Sequence, residues 1–156
     1  MEFAEAARIN RALNKAAKLY RAAKARKLAA LGLHPGQDVL LWVLAEAGDG
    51  MTVSELAARL GIEPPTATRS LARMDKSELF RRVPVPTDRR QVRVVMTEHG
   101  RDLIPAIERA WAELAEETLG HLPKETRTLV IAALEEANDH LRHIVGDAAE
   151  AILADG

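Results

Sequence analysis

The chain has 156 residues, 47% hydrophobic and 29% charged, with no cysteine and a formal net charge of −1. That length allows one domain with a real buried core, and the lack of Cys excludes disulfides, thiolate metal sites and thiol redox sensing. No apolar run approaches the ~20 residues of a membrane span, and Met1-Glu2-Phe3-Ala4-Glu5 lacks the basic-then-apolar plan of a secretion signal, so a cytoplasmic protein with no membrane partner is expected.

Residues 3–31 read as one long helix, because Ala6, Ile9, Leu13, Ala16 and Tyr20 recur at spacings of three and four. Gly32-Leu33-His34-Pro35 stops it, and Pro35 suits the first turn of a second helix over about 35–47. Gly48-Asp49-Gly50 is a turn. Thr52-x-x-Glu55 matches a capping box at the start of a short helix, 53–60, which Gly61 ends. Pro64-Pro65 starts the next helix, since proline is tolerated where backbone N–H groups lack helical partners.

From Leu79 to Met96 the period changes. Phe80, Val83 and Val85, then Val92, Val94 and Val95, predict a hairpin with Pro86-Thr87-Asp88 at its turn. Pro84 and Pro86 place the first strand at an exposed edge. A long helix runs from Thr97 to about Leu119 with Leu103, Ile107, Trp111 and Leu114 on one stripe. Leu122-Pro123 opens a last helix that reaches at least Val145, extending toward Leu153. The expected class is mainly α, with one small hairpin.

The modest total charge conceals segregation. Residues 1–31 carry +6, residues 32–50 −3, residues 51–96 +4 and residues 97–156 −8. A polyanion responds to the local patch and not to the sum. Within 53–72, Ala57 sits where two helices must approach closely, Gly61 supplies the turn, and Leu56, Leu60, Ile62, Ala67 and Leu71 supply the contact between them. The second helix of this pair then offers Pro65, Thr66, Thr68, Arg69, Arg73 and Lys76. In such helix–turn–helix units the N-terminal residues of the second helix reach base edges, and later basic groups hold phosphate. The hairpin adds a basic tip, Asp88-Arg89-Arg90, whose arginines suit a narrow minor groove and whose Asp88 can orient one of them. Arg81, Arg82 and Arg93 are either phosphate contacts or charges that protect a strand edge.

These residues resemble a MarR-family transcriptional regulator. The sharpest motif is the wing Asp-x-Arg, a hydrophobic strand and Thr-x-x-Gly, written here as Asp88-Arg89-Arg90, Val92 to Met96 and Thr97-Glu98-His99-Gly100. Leu33-His34-Pro35, Leu56-Ala57-x-x-Leu60-Gly61 and the long terminal helices fit as well. The resemblance implies a winged helix–turn–helix over residues 33–100 and a helical dimerisation region over 1–32 and 101–156, together one domain. It implies a homodimer on double-stranded DNA, with the second helix in the major groove and Arg90, oriented by Asp88, in the minor groove; Arg89 adds charge at the tip. Three positions depart from the family pattern: Glu78 stands where a left-handed Gly is usual, Ser70 where an apolar residue is, and Val85 where a polar turn residue is. Glu78 implies either a different helix end or strain.

The broad Ala/Leu stripes of the terminal helices would be covered by a second copy, which suits a two-fold operator with half-sites roughly 10 bp apart or a multiple of it. Salt bridges to the acidic C-terminal helices explain the basic residues of the first helix at least as well as DNA contact does. The resemblance also implies a small-molecule effector, often an aromatic acid, between the reading unit and the dimer base. Tyr20, Trp42 and Trp111 either line such a pocket or belong to the core. His140 and His143 have a chelating spacing, but no carboxylate–histidine cluster completes a site, so no metal and no cofactor is expected. Catalysis is not expected either, since no Ser-His-carboxylate arrangement or Gly-rich phosphate loop is present. A repressor is the expected sign, because blocking a promoter needs no activation surface. The rival is a winged helix used for protein contacts, which would lack the steep salt dependence of DNA binding.

Overall fold

The computed structural model describes residues 1–85 and 88–145, the side chains of residues 88–90 and 145 excepted. Within these, the chain runs α1 (Phe3–Ala29), α2 (Gln37–Glu46), β1 (Met51–Thr52), α3 (Val53–Leu60), α4 (Pro64–Met74), a 3-10 turn (Asp75–Ser77), β2 (Phe80–Val85), β3 (Asp88–Met96), α5 (Glu98–Leu119) and α6 (Lys124–Val145).

The elements follow from local chemistry. Thr52 caps α3 through a complete capping box: its hydroxyl accepts from the Glu55 N–H at 3.2 Å, and the Glu55 carboxylate accepts from the Thr52 N–H at 2.7 Å. The bond from the Thr52 N–H, seconded by one from the Thr52 hydroxyl to the same carboxylate at 3.1 Å, holds the Glu55 carboxyl below its ordinary value of 4.5. Gly61, with φ 66°, closes α3 in the left-handed region. Pro64 and Pro65 occupy the first positions of α4. Pro35 does not begin α2 as the sequence suggests. The chain turns through Gly36 at φ 93° first, a conformation open to glycine, and the helix starts at Gln37.

The expected two-stranded hairpin is part of a three-stranded antiparallel sheet of order β1-β3-β2. Met51 pairs with Val94 and Thr52 with Arg93, so β3 is central. A backbone-paired strand of two residues carries no side-chain period by which a sequence could reveal it. The β2 strand, with Pro84, lies at the edge as proline requires.

The core gathers Leu40, Leu41 and Leu44 of α2, Leu56 of α3, Leu71 of α4, Val94 and Met96 of β3 and Ile107 of α5. Burying each such side chain contributes about 1.5–3 kcal/mol. Two close approaches fix the sheet against its surroundings. A Cβ at Gly50 would strike the Val94 carbonyl, and one at Gly100 would strike the Leu79 carbonyl and the Met96 side chain. Thr97 completes this corner: its hydroxyl donates to the Glu78 carbonyl at 2.7 Å and accepts from the Gly100 N–H at 3.1 Å. That is the physical content of Thr-x-x-Gly in this chain.

The terminal helices differ from the core. From Phe3 through Arg21 most of α1 is open to solvent, and so is most of α6, with Leu129 at 70% and Ile144 at 79% exposure. Toward its C-terminal end α1 packs on α5. There Lys27 bridges Glu117 at 2.8 Å and Glu113 at 3.3 Å, and the bond to Glu117, seconded by Glu113, holds its ammonium above the ordinary lysine range. The expected pairing of basic α1 with the acidic C-terminal helices is therefore found at Lys27. Lys24 turns instead to Asp38 of α2, at 2.9 Å.

Candidate nucleic-acid interface

The reading unit is the pair α3 and α4, held by a small apolar seam of Ala57, Ile62 and Ala67, with Val53 and Leu60 packed against it. Ala57 is buried because a larger side chain would part the two helices. Leu56 and Leu71, expected in the same seam, face the main core. The buried stripe of α4 runs Ala67, Leu71, Met74, and its opposite face presents Pro65, Thr68, Arg69 and Arg73 to solvent, with Lys76 exposed in the 3-10 turn that follows. Spacings of three and four put the α4 residues on one side of the helix. Thr68 donates its hydroxyl to the Pro64 carbonyl at 2.9 Å, which leaves the hydroxyl oxygen free to accept.

Thr66 departs from the expectation of an exposed reading residue. It is 8% exposed, and its hydroxyl accepts from the Arg69 guanidinium at 3.2 Å. Position 66 shares its side of the helix with Arg69 and Arg73, three and seven residues on, so Thr66 steadies Arg69 and is itself shielded from solvent. Ser70, in the usually apolar position, is half-buried on the same side.

The wing is braced against this helix. Arg82 of β2 bridges Asp75, just past α4, at 3.0 Å. Arg93 of β3 donates to the Gly50 carbonyl, tying the central strand to the turn ahead of α3. Arg82 and Arg93, open between phosphate contact and edge protection, thus serve as struts, while Arg81 stays exposed. Asp88, Arg89 and Arg90 start β3, and their side chains lie outside the described residues, as do Pro86 and Thr87.

Glu78 has φ 56° and ψ 18°, the only non-glycine residue at positive φ among the described residues. Of the two outcomes its identity implied, a different helix end or strain, the second holds. An L-residue there costs about 1–2 kcal/mol relative to glycine-like freedom.

Sequence reasoning missed Asp38. It is fully buried, and its carboxylate accepts from the Gly36 N–H at 2.9 Å and the Trp111 Nε1–H at 2.6 Å besides pairing with Lys24. Its only signal was a carboxylate next to the apolar run Val39 to Ala45 of α2. Trp42 and Trp111 prove to be half-buried core neighbours, with ring centroids 5.8 Å apart, whereas Tyr20 is largely exposed. A cleft of about 440 Å³ opens beside this region, lined among others by Leu33, His34, Gln37, Arg73 and His99. Among the described residues no group of three His or carboxylate side chains is arranged to hold a metal ion, and no helix is long and apolar enough to cross a membrane.

A family model described as the MarR family matches residues 27–91, which span α2 through the wing. Over this stretch the chain is similar to the MarR family. An HTH-type transcriptional regulator of Mycobacterium bovis is 36% identical over 95 residues, covering 61% of this chain and 66% of that protein. The match thus spans just under two thirds of that curated relative's length. AbsC, a MarR-family regulator of Streptomyces coelicolor, superposes with a TM-score of 0.78 at 25% identity, covering 92% of this chain and 97% of its own. A second MarR-family regulator of that organism, solved in complex with DNA, gives a TM-score of 0.81 at 21% identity over 91% of each chain. The fold of this chain is the winged helix–turn–helix with added terminal helices.

Proposed function

We propose that this chain acts as a MarR-family homodimer that reads double-stranded DNA and represses transcription by covering a two-fold operator. The observation that carries it is the exposed face Pro65, Thr68, Arg69 and Arg73 of α4, continued by Lys76 in the turn after it and braced to a basic wing by Arg82 and Asp75. A helix that offers short polar and basic groups outward, beside a finger rich in arginine, fits a major groove with its flanking minor groove. The similarly folded Streptomyces regulator, solved in complex with DNA, supports DNA as the partner. In this reading residues 33–100 form the reading unit. Residues 1–32 and 101–156 form the dimer base, where the exposed apolar side chains of α1 and α6 meet their counterparts in a second copy. Arg90 enters the minor groove with Asp88 as its orienting partner, and Arg89 adds charge there. The protein works in the cytoplasm, and the cleft beside Arg73 takes a small-molecule effector.

The test replaces Arg90 with Ala. Binding to a duplex selected from random DNA weakens by about 1–3 kcal/mol at constant salt, in a variant shown to be folded. The parent's affinity falls steeply with added salt as counterions are released. Binding of a protein partner with no salt dependence, and equal indifference to every duplex, would favour the winged helix as a protein-contact module instead.

A further inference from the structure

Asp38 is the only charged side chain wholly removed from solvent among the described residues. A buried carboxylate is costly unless it is paired and hydrogen-bonded, and the partners that satisfy this one come from three places. Lys24 belongs to α1, Trp111 to α5, and the Gly36 N–H to the elbow that opens α2. The Lys24 ammonium also lies 5.9 Å from the centre of the Trp111 ring, so the two partners support each other. Helix α2 is the element on which α3 and β3 pack, and α1 and α5 lead into the two ends of the chain. The carboxylate therefore stands at the junction between the reading unit and the long helices. Apolar side chains at such a junction can slide and repack at small cost. Hydrogen bonds to one buried anion cannot, because each has a narrow range of length and angle.

We infer that Asp38 is a positioning residue: with Lys24 and Trp111 it fixes the angle at which the reading unit leaves the dimer base, and so sets the spacing of half-sites that a dimer accepts. This rests on the proposed reading of DNA by a dimer, and goes beyond it in naming where the spacing is decided. The side chains assigned to the bases lie on α4, and none of them is among the partners of the Asp38 carboxylate, so Asp38 acts on spacing and not on base identity.

Two variants test this. Trp111→Phe removes one hydrogen bond and keeps a ring. The double change Lys24→Met with Asp38→Leu removes both charges and fills their space with apolar groups, an exchange that is often neutral or stabilising. Each is measured on duplexes selected with the parent chain, and on the same duplexes with the gap between half-sites altered by one or two base pairs. The parent loses about tenfold or more in affinity per misplaced base pair. In both variants that penalty shrinks to about threefold or less, while dimerisation, helix content and the cost of a changed base within a half-site stay parental. A purely structural role would move the melting temperature and leave the spacing profile alone. Parental spacing profiles in the folded, dimeric variants overturn the inference. A parent chain that binds no duplex at low salt overturns the DNA reading itself, a result the spacing series cannot mimic.

Discussion

Glu78 offers the sharpest quantitative test of the local physics. Its backbone sits at φ 56° in the left-handed region, and its carbonyl accepts from Thr97. Glu78→Gly keeps that carbonyl and its hydrogen bond, and removes only the steric conflict and an exposed side chain. The relief is about 1–2 kcal/mol, offset by about 0.5–1 kcal/mol for the extra freedom glycine gives the unfolded chain. The net gain is about 0.5–1 kcal/mol, a rise of roughly 1–4 °C in melting temperature for a domain of this size. Thermal unfolding followed by circular dichroism, with protomer concentration held constant, reads it directly. Glu78→Ala is the control, because it removes the carboxylate but keeps a Cβ at positive φ. If Ala stabilises as much as Gly, the gain comes from charge and not from backbone conformation. If Gly destabilises, the strain argument is wrong.

The remaining expectations concern the braces and the exposed faces. Gly100→Ala drives a methyl into the Leu79 carbonyl and the Met96 side chain, and should cost about 1–3 kcal/mol in chemical denaturation. Thr52→Ala breaks the capping box and should cost about 1 kcal/mol. The Glu55 carboxyl is held below its ordinary value in the folded chain, so its contribution is present above pH 4.5 and is lost as pH falls through the lowered value. The acid limb of a stability–pH profile should accordingly be shallower in Thr52→Ala. Leu134→Glu, on the exposed face of α6, should convert a sedimenting dimer to monomer without unfolding the reading unit.

The order of elements was legible because each carries its own local signal. The capping box fixed the start of α3, Gly61 its end, and the prolines the start of α4. What escaped was decided by groups distant in sequence. Strand β1 exists only through backbone bonds to β3, and Asp38 is buried only because Lys24 and Trp111 converge on it. Thr66 was misplaced for another reason. A hydroxyl in a basic helix reads as a groove contact, but the Thr66 hydroxyl is taken up by the Arg69 guanidinium and its side chain is shielded, a pairing that residue type alone does not reveal. Glu78 shows the converse, where one residue type at one place anticipated a strained backbone.

Thr52 is at once the end of a strand and the cap of a helix, so it belongs to two structures with one set of atoms. Its backbone is paired to the central strand of the wing, and its hydroxyl holds the first turn of α3. A pull on the hairpin is consequently transmitted to the base of the reading unit through this residue, besides the Arg82–Asp75 bridge. Finger and helix must travel as one rigid hand, and any signal that releases the grip has to move both together.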